Sequence, residues 1–417
     1  MCRKIFVAAT GQNTGKTTIS LSLVHLARQR YKRVGFIKAI GPKCQQFNDI
    51  VVDKDAALMA RVFGMEEDIH LMSPVVLGRG STKRFLDGQL TTAELEGKLR
   101  HAFHEMERKY DFLVIEGAGH GGVGSVVGLS NGRVASLCGA PVIMVSGGGI
   151  GNVIDSVLLN LPLYQAEGCP VRALMVNKLL QDKREASLGY LQKAFSPLPL
   201  PVMAGFDYSP ILANPTLNHI ARLLDHPLNG DPSARSRIVH HVQLGAASSQ
   251  KVIDLLEEST LLITTSSRDE LIVTISSLYH IPAYREKIAG LVIPGQAPVS
   301  NVTQKILDAS GIPYIRIFQS TADVFSTITG HISKISVEDE EKIQLICSSA
   351  ERTIDFEGIE RIALEEATPS QGLGREALDY FHNDHGHVIF QGRCPRKGSN
   401  LVEDTANDLL RWSGTDC

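Results

Sequence analysis

The chain has 417 residues, enough for two or three domains at about 150 residues each. Hydrophobic residues make up 43% and charged residues 21%, which argues against a largely disordered or fibrous chain. The 42 Lys and Arg against 45 Asp and Glu give a net charge of −3, without the basic excess expected of a nucleic-acid-binding protein. The opening MCRKIFVAATGQ holds too short an apolar run for a signal-peptide core. The best membrane-span candidate, Ala140 to Leu163, is interrupted by Asn152, Asp155 and a glycine run, so no span is expected. Seven scattered cysteines without a CxxC read as reduced thiols, hence a cytoplasmic protein.

Short apolar runs predict strands at Lys4–Ala9, Arg33–Ile40, Asp111–Ile115, Pro141–Ser146, Val171–Asn177 and Pro201–Phe206. Several are nearly continuous in apolar residues, as parallel strands covered on both faces must be. Helical periods fall between them at Thr17–Arg30, Asp53–Phe63, Thr92–Tyr110, Val153–Ala166 and Lys183–Phe195, and another follows at Leu212–Leu224. Alternating strands and helices imply an α/β fold with a doubly wound parallel sheet. The stretch HPLNGDPSARS (226–236) is rich in turn residues and reads as a domain boundary, closing a first domain at 1–228. A smaller α/β domain is expected at 240–336, with strands Leu261–Thr264, Ile288–Ile293 and Tyr314–Phe318. Its helices are expected at Ser249–Glu258, Arg268–Tyr279 and Val302–Ala309. Residues 337–417 read as a helical extension (Glu338–Arg352, Phe356–Ala363) and a polar, weakly ordered tail with one possible strand at Val388–Phe390.

The clearest chemical signal is Thr10-Gly11-Gln12-Asn13-Thr14-Gly15-Lys16-Thr17-Thr18, placed between a strand and a helix. Backbone N–H groups and a helix N-terminus make a nest for phosphates there. Lys16 would reach the β/γ-phosphates, Thr17 would ligate Mg2+, and Thr18 would lie near the α-phosphate. The match to GxxxxGK[ST] is imperfect, because Thr10 stands where the first glycine belongs. Glu116 ends a strand in FLVIEGAGHGG, where the carboxyl end of a central strand faces a ligand crevice and a carboxylate can hold Mg2+. Lys38 ends the second strand at the same edge. Asp53 and Asp55 open the next helix, as site carboxylates or, especially for Asp53, as helix caps. The strand ending Asn177-Lys178 is followed by Leu179 and Leu180, so the aspartate that reads guanine in NKxD motifs is missing and adenine is favoured.

Together these residues resemble the dethiobiotin synthetase-like branch of P-loop proteins, over residues 1 to about 225. That branch includes cobyrinic acid a,c-diamide synthase and the N-terminal part of long phosphate acetyltransferases. The resemblance rests on TGQNTGKTT, FIK at Lys38, DKDAAL, EGAGHGG at Glu116, PVIMVSGGGIGNVID and VNK. It implies a lysine at position 38 contacting a substrate carboxylate or carbamate, Mg2+ held by Thr17, Asp55 and Glu116, and adenine met by Asn177. The loop is two residues shorter than the GTDTEVGKT type, and AIGPKCQQF after Lys38 departs from the synthetase pattern. Residues 240–335 are similar to a DRTGG domain, with Arg268 kept but Ser267 in place of an aspartate. The segment after residue 335 is too short for an acetyltransferase domain, so acetyl transfer is not expected.

Other groups are less telling. His382, His385 and His387 could bind a metal but sit in the polar tail. His120 could touch a phosphate or cap its turn. Cys44 lacks a placed base, and Asp155 reads as a cap. The expectation is a Mg-ATP-binding P-loop ATPase. Lys16, Lys38 and Glu116 would be its catalytic groups, and residues 11–18, Asn177 and Lys178 its nucleotide contacts. Its substrate would be a small carboxylate, with the alternative of a nucleotide-switched regulator responding to a metabolite. A homodimer, and no nucleic-acid or membrane partner, complete the expectation.

Overall fold

The computed structural model describes residues 2–330 and 335–364. Six parallel strands form the main sheet: β1 (Arg3–Ala9), β2 (Val34–Lys38), β3 (Phe112–Glu116), β4 (Val142–Gly147), β5 (Val171–Leu179) and β6 (Val202–Asp207). Their spatial order is β6-β5-β4-β1-β3-β2. Every residue of β2 and β3 is buried, as a sheet covered by helices on both faces demands. Helices α1 (Lys16–Arg30), α2 (Lys54–Phe63), α3 (Thr92–Lys109), α4 (Asn131–Cys138), α5 (Ile150–Ala166) and α6 (Arg184–Phe195) supply that cover. The six strands and five helices expected between Lys4 and Phe206 are all present, with ends shifted by at most three residues. The eight-residue α4 was not expected, because its SNGRVASLC stretch is too short and too polar to show a helical period.

The second domain is a four-stranded parallel sheet, β7 (His241–Leu244), β8 (Thr260–Ile263), β9 (Ile288–Pro294) and β10 (Tyr314–Ile317), ordered as numbered. Alternate residues of β8 serve two cores: Leu261 and Ile263 pack on one face, Leu262 on the other. Strand β7 escaped the sequence reading, since HVQL at a sheet edge alternates weakly and only partly buries its side chains. The expected helix 212–224 is broken at Asn214-Pro215 into Pro210–Ala213 and α7 (Leu217–Leu224). Leu217, Ile220, Ala221 and Leu224 of α7 lie in the second domain's core. The change of domain therefore falls near 214–216, upstream of the expected 226–236. That turn-rich stretch is an ordered loop whose Asn229 exchanges backbone hydrogen bonds with Tyr314 of β10.

The chain then returns to the first domain. Helices α8 (Glu340–Thr353) and α9 (Phe356–Leu364) bury Ile346, Ala350, Phe356, Ile359 and Ile362 in the main core. Their polar faces are tied down as well: Glu360 pairs with Arg3 at 3.2 Å and Arg30 at 3.0 Å, and Glu351 meets His25 at 2.8 Å. The two helices read as an extension are thus a structural part of the first domain. The possible strand at 388–390 and the histidines at 382, 385 and 387 lie outside the described residues. No described helix is long and apolar enough to cross a membrane.

Ile359→Ala deletes a fully buried side chain. It should destabilise the first domain by about 2–4 kcal/mol in urea unfolding. Leu364→Ala, at a side chain 60% exposed, should change stability by no more than about 0.5 kcal/mol. Equal effects would detach the helix from the core.

Candidate functional site

Strand β1 ends at Ala9 and the chain loops through residues 10–15 into α1. Gly15 stands at the helix N-cap with φ +106°, and a Cβ there would lie 1.9 Å from the Asn177 amide nitrogen. Both facts require glycine. No side chain caps α1 and no acidic residue occupies its first turn. The positive end of this 15-residue helix dipole therefore has no side-chain cap or first-turn acid set against it, which favours an anion there. The Lys16 ammonium donates to the Gly11 carbonyl at 3.2 Å and the Gly119 carbonyl at 2.7 Å, bridging this loop to the glycine turn after β3. Asn177 donates to the Thr14 carbonyl at 2.9 Å, which ties the loop to β5.

Strands β2 and β3 pair in a register that sets Lys38 beside Glu116 at the carboxyl edge. The Lys38 ammonium donates to Glu116 Oε1 at 2.6 Å and to the Gly117 carbonyl at 3.1 Å, and lies 2.9 Å from Asp55 Oδ2. Lys38 is 3% exposed and Glu116 fully buried. Burial pulls the Lys38 pKa down, but Glu116, Asp55 and Asp53 more than offset that, so the net shift is upward and the ammonium stays charged. The Glu116 Oε2 atom is buried and has no hydrogen-bond partner. Asp53 caps α2, accepting from Asp55 N–H at 2.9 Å and Lys43 N–H at 3.0 Å. Burial, then the Asp55 charge, push its carboxyl up to about 6. Of the two aspartates, Asp53 is the cap and Asp55 the one that reaches Lys38.

The glycine turn is held by two asparagines that gave no sequence signal. Asn131, 2% exposed, accepts from Ala118 N–H at 2.9 Å and donates to the Ala118 carbonyl at 2.5 Å and the His120 carbonyl at 2.6 Å. Asn160 accepts from Gly121 N–H at 2.8 Å. Lone asparagines inside short or apolar helices carry no pattern; only the fold reveals what they reach. His120 is exposed and accepts from Gly122 N–H through Nδ1 at 3.2 Å, a turn-capping contact. Asp155 is the sixth residue of α5 and exposed, not its cap, because the helix begins earlier than the sequence pattern suggested. Cys44 lies in a hairpin, Cys44–Phe47 with Ile50–Asp53.

One cleft of roughly 270 Å3 gathers most of these groups. Gln12, Asn13, Gly15, Lys16, Thr17 and Thr18 line it with Lys38, Asp53, Asp55, Glu116, Asn177 and Lys178. Gly11 and Thr14 belong to the same loop without lining the cleft. Its lining continues through Asp207, Tyr208, Ser209, Leu212 and Ala213, at and after the end of β6, the strand at the opposite edge of the sheet from β2 and Lys38, and includes Ile335; none was singled out from sequence. The donor set suits a hard cation beside phosphates: an unpartnered buried carboxylate oxygen, a second carboxylate and a hydroxyl. Among the described residues no preformed cluster of three or more His, Cys, Asp or Glu stands ready for a metal.

Residues 3–216 match the AAA domain family and residues 220–330 the DRTGG domain family. The phosphate acetyltransferase of Nitratidesulfovibrio vulgaris is 24% identical over 368 residues, 85% of this chain and 51% of that enzyme. The ATP-dependent dethiobiotin synthetase BioD of Methanocaldococcus jannaschii is 25% identical over 195 residues, 46% of this chain and 86% of that protein. The chain thus spans about half the length of the phosphate acetyltransferases it matches. Among solved structures, the septum site-determining protein MinD of Pyrococcus horikoshii, complexed with Mg-ADP, aligns at a TM-score of 0.33 and 17% identity. That alignment covers 51% of this chain and 84% of MinD. The expected resemblance, a dethiobiotin synthetase-like P-loop domain joined to a DRTGG domain as in phosphate acetyltransferases, holds.

Asn131→Ala strips the glycine turn of a donor and an acceptor and leaves buried backbone groups unpaired. It should cost about 2–3 kcal/mol in chemical denaturation, the scale of unsatisfied buried polar groups. Asn152→Ala, at an exposed residue whose side-chain amide donates to the Gly147 carbonyl at 2.9 Å, should cost less than about 1 kcal/mol.

Proposed function

The chain belongs to the AAA domain family, and from that premise we propose that its first domain binds Mg-ATP and transfers the γ-phosphoryl group to a small carboxylate or carbamate. The observation that carries this reading is the convergence in one cleft of the uncapped α1 N-terminus, Lys16 and the unpartnered Glu116 Oε2. The loop N–H groups and α1 would cradle the phosphates. Lys16, now held by two carbonyls, would exchange them for β/γ-phosphate oxygens. Thr17, Asp55 and Glu116 would hold the cation. When bound, Mg2+ would supply positive charge between the phosphates and draw charge from the transferring group.

The rest falls to the chain's own residues. Lys38 fixes Asp55 and Glu116 in place, and a substrate carboxylate would compete with them for its ammonium. The attacking oxygen would form a bond to the γ-phosphorus as its bond to the bridging oxygen breaks, and ADP would leave. The protein's work in such a transfer is positioning and electrostatic stabilisation. Asn177 and Lys178 would meet the adenine side, and Leu180 in place of an aspartate favours ATP over GTP.

A second reading is a nucleotide-switched regulator whose DRTGG domain senses a metabolite. The Lys38 contacts favour it, since the three N–H donors already have partners within the chain. ATP turnover that rises with one carboxylic acid supports the enzyme. Nucleotide-dependent association without turnover supports the switch. A homodimer is part of either reading.

In calorimetric titration with Mg-ATP, Lys16→Ala should weaken binding at least about 30-fold, as expected when charge-assisted hydrogen bonds are removed. GTP should bind the wild type at least about tenfold more weakly than ATP, one hydrogen bond's worth of discrimination. Glu116→Gln should remove most of the affinity gained from Mg2+. Equal ATP binding by wild type and Lys16→Ala would refute the site.

A further inference from the structure

The cleft's far wall contains a residue that no feature of the P-loop domain predicts. Ile335 lies beyond the second domain in sequence, yet it lines the cleft with Tyr208, Leu212 and Ala213. Ile335 and Val337 both pack against the first domain's core. The next residue turns the other way. Glu338 accepts from Arg222 at 2.7 Å and from the Asn218 amide, both on α7 of the second domain.

This strap is held in a tight corner. Asp339, 2% exposed, accepts from Ser336 N–H at 2.8 Å, and its own N–H donates to the Ser336 carbonyl at 3.1 Å. Lys342 is fully buried 3.4 Å from the same carboxylate. Beyond the corner, α8 is anchored in the main core through Ile346 and Ala350. Ile335 is therefore positioned from both sides, by the second domain through Glu338 and by the first domain through α8.

We infer that Ile335 is a nucleotide-binding residue at the base end of the cleft, and that strap 335–339 couples nucleotide occupancy to the second domain. The inference rests on the proposed ATP reading and names how that site is regulated. The phosphate end of the cleft is polar and belongs wholly to the first domain. The other end combines an aromatic ring, three aliphatic side chains and the polar Asp207 and Ser209, which suits a flat heterocycle with a polar edge. A base seated there would press on Ile335 and so hold Glu338 against Arg222 and Asn218. Linkage makes the effect mutual: whatever repositions α7 changes nucleotide affinity by the same factor as nucleotide changes that event.

The test uses the full chain and two probes, Mg-ATP and Mg-tripolyphosphate, the second having phosphates but no base. Ile335→Ala should weaken ATP binding roughly fivefold, the scale set by the apolar area that one truncated aliphatic side chain no longer covers. Tripolyphosphate binding should not change. Hydrogen exchange of residues 217–224 should slow when ATP is added, slow less with tripolyphosphate, and lose its ATP response in Arg222→Ala. ATP binding unchanged in Ile335→Ala, or exchange of α7 indifferent to ATP, overturns the inference while Lys16→Ala still reports on the phosphate site. Equal weakening of both probes by Ile335→Ala would make the residue structural and overturn it as well. Failure of the wild type to bind either probe would overturn the ATP reading and this inference together.

Discussion

Two carboxylates share one buried ammonium, and the rest of the site depends on that arrangement. Lys38 sits between Glu116 and Asp55 with almost no solvent contact. Removing such charges from water is costly. The group survives because the backbone leaves it no alternative: β2 and β3 pair so that Lys38 and Glu116 are neighbours, and Asp53 fixes the start of α2 so that Asp55 follows. In the proposed account this edge of the sheet, where Glu116 Oε2 has no partner, receives the cation.

The same edge explains why the phosphate loop lies where it does. Strand β1 lies next to β3, so the loop leaving β1 meets the glycine turn leaving β3, and Lys16 spans the two. Asn131 and Asn160 hold that turn from α4 and α5. The phosphate end is thus prearranged by backbone and buried amides, which is the condition for electrostatic positioning to cost little reorganisation. The far end is built differently, from the segment after β6 and from a strap whose other attachment is the second domain. In the proposed account the chemistry is rigid at one end and responsive at the other.

What the sequence revealed follows from the range of the forces involved. Six core strands and the phosphate loop were legible because their signals are local: continuous apolar runs, and a glycine-lysine-threonine turn before a helix. Lys38 and Glu116 were legible because strand ends in a parallel sheet face one crevice. The destination of α8 and α9 was not. An amphipathic helix announces that it has a partner, but Ile346 and Ile359 say nothing about which core receives them. The same limit moved the domain boundary, since α7 reads equally well as the end of one domain or the start of the next. Asn131, Asn160 and Ile335 act across 13 to 39 residues or from beyond another domain, and an isolated amide or isoleucine has no spacing to betray it.

The most direct test of the account is a crystal structure with Mn2+ and a non-hydrolysable ATP analogue, read by the anomalous signal of the metal. The account predicts a manganese peak bonded to Glu116 and the Thr17 hydroxyl, phosphates on the α1 N-terminus and the base against Tyr208, Leu212 and Ile335. A nucleotide seated elsewhere, or a metal bound away from Glu116, would contradict it.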